Sequence, residues 1–202
     1  MKSKDIILGV TASIAIYKAC DIARRLFKEK FSVSVVMTAN ATRLISPQVF
    51  SSLIEGSLYP ASSSVTKSLD KIKACGVYWD MFADPNDWKP RAGIEHVSLA
   101  KRAGMILIAP ATANIIGKIA CGIADDLLST TIMATKAPVL IAPAMNANMY
   151  NNRIVQENIK RLKSQGYKFI GPGKGRLCCG DVGIGHLAEV EAIVKQARML
   201  LK

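Results

Sequence analysis

Asn146, His96 and Cys179 are the residues whose types and surroundings are most typical of an active site in this sequence. Asn146 lies in segment 143–150, which places two amides and two methionines directly after an apolar run. An asparagine there can present a carboxamide to a carboxylate without adding charge, and it can equally cap a helix. His96 stands at the start of a helical pattern over 97–103. A lone histidine in that place is either a base or a structural residue.

The segment 172–185 combines a cysteine pair with many glycines. It holds five glycines, two cationic residues and the adjacent Cys178 and Cys179 within 14 residues. Glycine loses much backbone entropy on ordering, so this composition predicts a flexible flap and not a part of the core. A flap that carries a thiol suggests closure over a substrate and delivery of a proton. A buried structural cysteine is the alternative, and it suits Cys178 better than Cys179.

Small and hydroxylated residues follow four apolar runs, in segments 9–13, 38–40, 109–114 and 142–148. Small side chains let the backbone approach a ligand, and a serine at a helix start helps backbone N–H groups to bind a phosphate. Ser13 has this position, although a plain helix cap explains it equally well. The glycine fingerprint of dinucleotide sites is absent, which favours a mononucleotide.

A parallel sheet would bring these segments to one edge. Strand-like apolar runs occur at 6–10, 33–37, 105–109 and 138–142, with a short last strand at 167–170. Helical patterns alternate with them at 19–26, 47–56, 112–121, 125–134, 155–166 and 187–200. The alternation predicts an α/β fold, a doubly wound parallel sheet in one domain over 1–202. Segment 76–93 fits no period and is predicted to be an exposed loop.

Charge and cysteine content exclude several classes of function. The formal net charge is +12, but the basic residues lie on the outer faces of predicted helices, without a nucleic-acid-binding motif. The positive charge therefore favours a small anionic ligand over a nucleic acid. The five cysteines have no C-x-x-C spacing and only two histidines accompany them, so we expect reduced thiols and no metal site. Without a signal peptide or an apolar run of about 18 residues, we expect a soluble cytoplasmic protein with no membrane partner.

Taken together, these segments resemble the homo-oligomeric flavin-containing cysteine decarboxylases, among them those acting on 4′-phosphopantothenoylcysteine. The matching motifs are the turn at 11–18, Glu-His-Val at 95–97, Ala-Pro-Ala-Thr-Ala-Asn at 109–114, Pro-Ala-Met-Asn at 143–146 and Cys-Gly-Asp at 179–181. They occur in the family's order over nearly the whole chain. The Pro-x-Met-Asn motif combined with a Cys-Gly flap is specific, whereas the turn alone is not.

The resemblance implies a Rossmann-like, flavodoxin-related fold that binds FMN. It implies that His96 is an active-site base, that Asn146 contacts the substrate carboxylate and that Cys179 donates a proton. The implied FMN contacts are Ala12, Ser13, Ile14, Thr38, Thr112, Ala113 and Asn114. It also implies a phosphorylated thiol substrate and a homotrimer, often assembled into a homododecamer, with active sites between subunits.

The implied reaction yields 4′-phosphopantetheine on the route to coenzyme A. Oxidation of the substrate thiol to a thioaldehyde would create an electron sink for loss of CO2. The resulting enethiolate would then need a hydride and one proton, the latter from Cys179. Three alternatives are a peptidyl-cysteine decarboxylase, a flavin prenyltransferase and a non-catalytic FMN-binding regulatory subunit.

Several features depart from the family's pattern. Cys178 replaces a residue that is usually small, and Tyr150 stands where many members have Trp. The loop before His96 is longer than in some relatives. Many bacterial relatives carry a fused synthetase domain, and we expect no part of it within these 202 residues.

Overall fold

The computed structural model describes residues 5–55, 76–79, 95–176 and 182–201. Their strands are β1 (Asp5–Val10), β2 (Ser32–Met37), β3 (Gly76–Trp79), β4 (Met105–Ala111), β5 (Val139–Pro143), β6 (Lys168–Phe169), β7 (Gly173–Arg176) and β8 (Val182–His186). Their α-helices are α1 (Tyr17–Lys28), α2 (Ala39–Thr42), α3 (Pro47–Glu55), α4 (Glu95–Arg102), α5 (Ala113–Cys121), α6 (Leu127–Ala134), α7 (Ala147–Asn151), α8 (Arg153–Ser164) and α9 (Val190–Leu200). A 3-10 helix, Ile14–Ile16, precedes α1.

Six strands form one parallel sheet in the order β3-β2-β1-β4-β5-β6. This is the order of the Rossmann fold, in which the chain returns to the centre of the sheet between β3 and β4. It confirms the predicted doubly wound sheet and assigns it to the Rossmann arrangement. The loops after β1 and β4 diverge at this reversal, which is where such sheets bind ligands.

Both faces of the sheet are covered by helices, so the central strands are buried on both sides. Alternate residues of β1 show the division: Ile6 and Leu8 pack in one cluster with α1, α3 and α9, whereas Ile7 packs in another with α5, α6 and α8. All of these side chains have no exposed surface. This explains the apolar runs, because a strand with one solvated face would alternate with polar residues. No described helix combines the length and the apolar character needed to cross a membrane.

The structure corrects the start of the predicted loop at 76–93. Gly76–Trp79 pairs with Ser34–Met37 of β2 and forms the edge strand β3. The strand has four residues and a neighbour on one side only, so the sequence over this span is too short for a period to be recognised. The rest of that predicted loop lies outside the described residues.

The two ends of the predicted flap at 172–185 are strands that pair with each other as a β-hairpin. Strands β7 and β8 pair antiparallel, from Gly173 opposite His186 to Arg176 opposite Val182. The sequence does not reveal these strands, because backbone hydrogen bonds join the glycine-rich segments without an apolar pattern. The role of this segment as a flap stays a prediction. Cys178 and Cys179 lie outside the described residues.

Candidate functional site

A cavity of about 300 Å3 opens at the carboxyl edge of the sheet. The loops after β1, β4 and β5 and the end of the β7–β8 hairpin form its walls. Its lining residues are Ala12, Ser13, Ile14, Ala15, Thr112, Ala113, Ala144, Met145, Asn146, Met149, Gly185, His186 and Leu187. The lining is mostly apolar, with a few polar groups, as in most small-molecule sites. Three of the four segments expected at this edge contribute to it.

Thr11 joins the loops after β1 and β4 beneath the cavity. Its hydroxyl donates to the carbonyl oxygen of Pro110 at 2.7 Å and accepts from the backbone N–H of Thr112 at 3.1 Å. The side chain is 2% exposed, so these bonds are shielded from water. Leaving either backbone group unpaired at this depth would cost about 1–3 kcal/mol. Thr11 thus fixes the spacing of the two loops that carry Ser13 and Thr112.

Two helix N-termini meet the cavity next to each other. Ser13 caps the 3-10 helix before α1, with its hydroxyl accepting from Ala15 at 3.4 Å, and Thr112 caps α5 by accepting from Ile115 at 3.4 Å. Ser13 also donates to the carbonyl oxygen of Ala144 at 3.3 Å, which ties the β1 loop to the β5 loop. A helix N-terminus carries a partial positive charge and favours anions. Ala12 and Ala113 beside these caps leave room for a ligand to approach the backbone.

Asn146 is both a helix cap and a cavity residue. Its side-chain oxygen accepts from the backbone N–H of Asn148 at 2.8 Å, which caps α7. The two interpretations of this residue are therefore compatible. Because Oδ1 serves as an acceptor within the loop, the amide's donor group is Nδ2, the chemistry that a carboxylate requires.

The hairpin is docked against the loop that carries Asn146. The backbone N–H of Met145 donates to the carbonyl oxygen of Gly185 at 3.1 Å. Gly185 has φ +148°, and a Cβ atom added there would lie 2.2 Å from the carbonyl oxygen of Met145. Only glycine permits this approach. This contact brings His186 and Leu187 to the cavity, which the sequence does not predict.

The lining contains six of the ten residues proposed from the sequence, namely Ala12, Ser13, Ile14, Thr112, Ala113 and Asn146. Thr38 lies at the end of β2, with its backbone N–H bonded to Val10, outside the lining. Asn114 is exposed in the first turn of α5, and His96 is half-buried in the first turn of α4. Neither lines the cavity, and Cys179 lies outside the described residues. Their proposed roles remain predictions.

An ionic cluster supports α5 and α6 behind the site. Lys118 contacts Asp125 at 2.6 Å and Asp126 at 2.7 Å, and Asp126 also forms a reciprocal cap with Ser129 at the start of α6. Burial alone would raise the pKa of Asp126, but hydrogen bonds from Lys118 and Ser129 outweigh it and lower that pKa. Burial alone would lower the pKa of Lys118, but hydrogen bonds to both carboxylates outweigh it and raise that pKa.

Within the described ranges, no group of three or more His, Cys, Asp or Glu residues could hold a metal ion. Cys20 and Cys121 are free thiols, and Cys20 has a raised pKa, chiefly because it is partly buried. Neither thiol lines the cavity.

Comparison with known proteins places the chain among flavin-related proteins. A family model described as Flavoprotein matches residues 1–202. The coenzyme A biosynthesis bifunctional protein CoaBC of Bacillus subtilis (strain 168) is 42% identical over 197 residues, which cover 98% of this chain and 43% of that protein. The chain therefore spans less than half the length of this relative. A probable phosphopantothenoylcysteine decarboxylase of Streptococcus mutans serotype c is 38% identical over 196 residues, covering 96% of this chain and 97% of that protein.

Solved structures agree with the sequence comparison. A cysteine-to-serine variant of PPC decarboxylase, complexed with pantothenoylaminoethenethiol, superposes with a TM-score of 0.76 and 27% identity over 96% of both chains. The FMN binding protein AtHal3 superposes with a TM-score of 0.74 and 27% identity, over 98% of this chain and 96% of that one.

Proposed function

The chain belongs to the Flavoprotein family, and we propose that it is an FMN-dependent decarboxylase converting 4′-phosphopantothenoylcysteine to 4′-phosphopantetheine in coenzyme A biosynthesis. The single observation that carries this proposal is the cavity in which the Ser13 and Thr112 helix caps face the Asn146 loop. One wall is suited to a phosphate and the other to a carboxylate. The curated relatives at 42% and 38% identity bear names from coenzyme A biosynthesis, which favours this substrate over a peptidyl cysteine.

The residues of the cavity fit FMN. The capped N-termini at Ser13 and Thr112 would bind its phosphate, and Ala12 and Ala113 allow the close approach that this needs. The apolar side chains of Ile14, Met145, Met149 and Leu187 would pack against the flavin ring. When bound, a flavin supplies reversible hydride transfer, which ordinary side chains do not provide.

Each proposed catalytic residue has a separate role. Asn146 would donate from Nδ2 to the substrate carboxylate and orient it until CO2 leaves. Cys179 would deliver the proton that completes the product. The solved structure of a cysteine-to-serine variant of PPC decarboxylase complexed with pantothenoylaminoethenethiol supports a thiol in that step. His96, at the start of α4, would hold a proton near the substrate thiol. Its helix begins at the same edge of the sheet as the cavity, because α4 leads back into β4.

We further propose a homotrimer or a homododecamer, in which a second copy of the chain covers the cavity. Ile14 and Met149 line the cavity and are also 66% and 49% exposed, and Tyr17 is 61% exposed nearby in sequence. Apolar side chains exposed together at a site mark an interaction surface more often than plain solvent contact. Light scattering on the purified protein should give three or twelve times the chain mass, and a monomer would contradict the proposal.

A cytoplasmic location accompanies this function. Cys20 and Cys121 are free, and the proposed substrate carries a free thiol, which suits a reducing compartment. Cell fractionation should recover the protein with cytoplasmic markers, and recovery in a secreted or membrane fraction would contradict this location.

The decisive experiment identifies the cofactor and the reaction together. The purified chain is denatured, the released chromophore is identified by chromatography and mass spectrometry, and CO2 release from 4′-phosphopantothenoylcysteine is measured in parallel. We expect FMN and a product lighter by the mass of CO2. FAD, or no flavin after reconstitution, would contradict the cofactor. CO2 release from a peptide's C-terminal cysteine alone would favour a peptidyl-cysteine decarboxylase, and FMN without turnover would favour a regulatory subunit.

A further inference from the structure

His186 is the only titratable side chain among the 13 described residues that line the cavity. The remaining lining residues are alanine, serine, threonine, asparagine, glycine or aliphatic side chains, none of which changes charge near neutral pH. A positively charged side chain within the described lining can therefore come only from His186.

The structure gives the imidazole ring of His186 a defined place. The ring lies across Gly175 of the paired strand, where an added Cβ would be 3.2 Å from Cδ2 and 3.5 Å from Nε2 of His186. A contact of 3.2 Å is tighter than ordinary van der Waals packing between carbon atoms. Glycine at position 175 therefore leaves the space that the ring occupies.

Strand β8, which carries His186, is hydrogen-bonded to the loop that carries Asn146. Gly185, its neighbour, accepts from the backbone N–H of Met145, and Gly173 pairs with His186 across the hairpin. The ring therefore lines the same cavity as Asn146 and the helix caps at Ser13 and Thr112. A cation there would complement an anion bound at those N-termini.

We propose that His186 contacts the phosphate monoester of the molecule in this cavity, as an imidazolium that donates a charge-assisted hydrogen bond. This inference rests on the proposed function, in which both FMN and the substrate carry such a group. Charge-assisted hydrogen bonds to phosphate are stronger than neutral ones. The other described lining residues offer a phosphate only backbone and neutral donors, so among them the imidazolium is the single charged partner.

Other charged groups on the elements packed against β8 do not replace His186. Strand β7 carries Lys174 and Arg176, helix α7 carries Tyr150, and Glu189 follows on the same chain segment. Lys174, Tyr150 and Glu189 do not belong to the cavity lining. Lys174 is exposed and sits next to Gly175, so its side chain leaves the strand on the face opposite to the one covered by the imidazole ring.

The expected pH dependence has a definite sign. A phosphate attracts the imidazolium and not the neutral ring, so the contact should strengthen binding more at low pH than at high pH. The phosphate itself also titrates, with a second pKa near 6. Comparing the wild type with a variant at each pH cancels this second effect.

The test uses His186→Gln, which keeps a hydrogen-bonding side chain without the charge, and His186→Arg, which keeps a charge at every pH. FMN and riboflavin are titrated into the flavin-free full chain at about pH 6 and about pH 8.5, followed by quenching of flavin fluorescence. The product 4′-phosphopantetheine and unphosphorylated pantetheine are titrated into the holoprotein by calorimetry. The matched control Lys174→Gln removes a cation from the same hairpin outside the lining.

If the contact is to the cofactor, His186→Gln should bind FMN roughly 10-fold more weakly at about pH 6, with little difference at about pH 8.5. Riboflavin affinity should be unchanged. If the contact is to the substrate's phosphate, FMN affinity should hold and 4′-phosphopantetheine should weaken roughly 10-fold, with pantetheine unaffected. In either case His186→Arg should remove the pH dependence, and Lys174→Gln should behave as the wild type.

A further variant, Gly175→Ala, tests the ring's position while retaining the histidine. Its added Cβ should displace the imidazole and reproduce the loss seen with His186→Gln. The inference is overturned if His186→Gln leaves both phosphorylated ligands unaffected, or weakens phosphorylated and unphosphorylated ligands equally. Should the wild-type chain bind neither FMN nor 4′-phosphopantetheine, the proposed function itself fails and this inference falls with it.

Discussion

The backbone N–H of Met145 donates to the carbonyl oxygen of Gly185 at 3.1 Å, across 40 residues of chain. This bond makes the loop after β5 and the β7–β8 hairpin two parts of one wall. Asn146 and His186 each stand next to one end of it. Two residues proposed to contact different parts of the ligands are thereby positioned by the same backbone contact.

Replacing Gly185 by alanine should separate the β7–β8 hairpin from the loop after β5. The new Cβ would lie 2.2 Å from the carbonyl oxygen of Met145, and backbone atoms cannot yield to it as a flexible side chain would. We expect FMN affinity, measured by fluorescence titration, to fall by roughly 10-fold or more. Gly166→Ala is the matched control, since Gly166 also has a positive φ but an added Cβ would have nothing within 4 Å. It should cost about 1 kcal/mol of stability and leave FMN binding intact. Tight FMN binding by Gly185→Ala would contradict the docking role.

Asn146→Asp should nearly abolish decarboxylation while the flavin stays bound. Aspartate is as good a helix cap as asparagine, so α7 should persist. Its charge would repel the substrate carboxylate by about 1–4 kcal/mol at contact distance, a loss of roughly 5- to 1,000-fold in kcat/KM. Asn152→Asp changes an equivalent cap, which accepts from Ile154 at 2.9 Å and lies away from the cavity. Steady-state kinetics should show near-normal activity for that control, and near-normal activity in Asn146→Asp would disprove the carboxylate contact.

Cys179→Ser should stop the reaction at the ethenethiol, before the final proton and hydride are added. A hydroxyl is a much weaker acid than a thiol, so CO2 would still be lost but the ethenethiol would accumulate. Mass spectrometry should find a product two hydrogens lighter than 4′-phosphopantetheine. Cys178→Ala should give the normal product. Reversed results for the two variants would assign the proton to Cys178, and normal product from both would place the donor elsewhere.

Asp126→Asn should lower stability in a pH-dependent way. The pKa of Asp126 is depressed in the folded state, so its contribution is present above the unfolded pKa near 3.9 and is lost as pH falls through the folded value. Asparagine would still cap α6 but could not form an ion pair with Lys118. Urea unfolding should show a loss of about 1–3 kcal/mol at pH 7 that shrinks in acid. Asp125→Asn, at a residue whose side chain is 57% exposed, should cost less than about 1 kcal/mol. A loss that is equal at all pH values would rule out an ionic origin.

The sequence was sufficient to predict the buried strands of the sheet, because burial on both faces determines their residue types. Strands β1, β2, β4 and β5 are mostly apolar because helices cover both faces, and the prediction located each within about two residues. Strand β3 was missed because a four-residue edge strand gains its order from pairing with β2, which leaves little trace in composition. The hairpin was missed for a similar reason. Its glycines allow close backbone contacts that an apolar pattern would not reveal.

The site was predictable where it depends on position relative to a strand end. Ser13, Thr112 and Asn146 follow strands whose order follows from the fold, so their convergence could be expected. His186 follows a hairpin strand whose docking depends on a single contact between Met145 and Gly185. Thr11 was noted only as part of a turn, although a threonine directly after a buried strand is a signal for a hydroxyl bonded to the neighbouring chain.

Thr11 also determines which part of the cavity is able to change during evolution. Its two hydrogen bonds clamp the β1 and β4 loops together, so the floor of the site cannot widen without breaking a buried network. The β7–β8 hairpin closes the other side and is held to the β5 loop through backbone atoms, which tolerate many side chains. Divergence toward new substrates should therefore accumulate in the hairpin, while the floor beneath the cofactor is inherited unchanged.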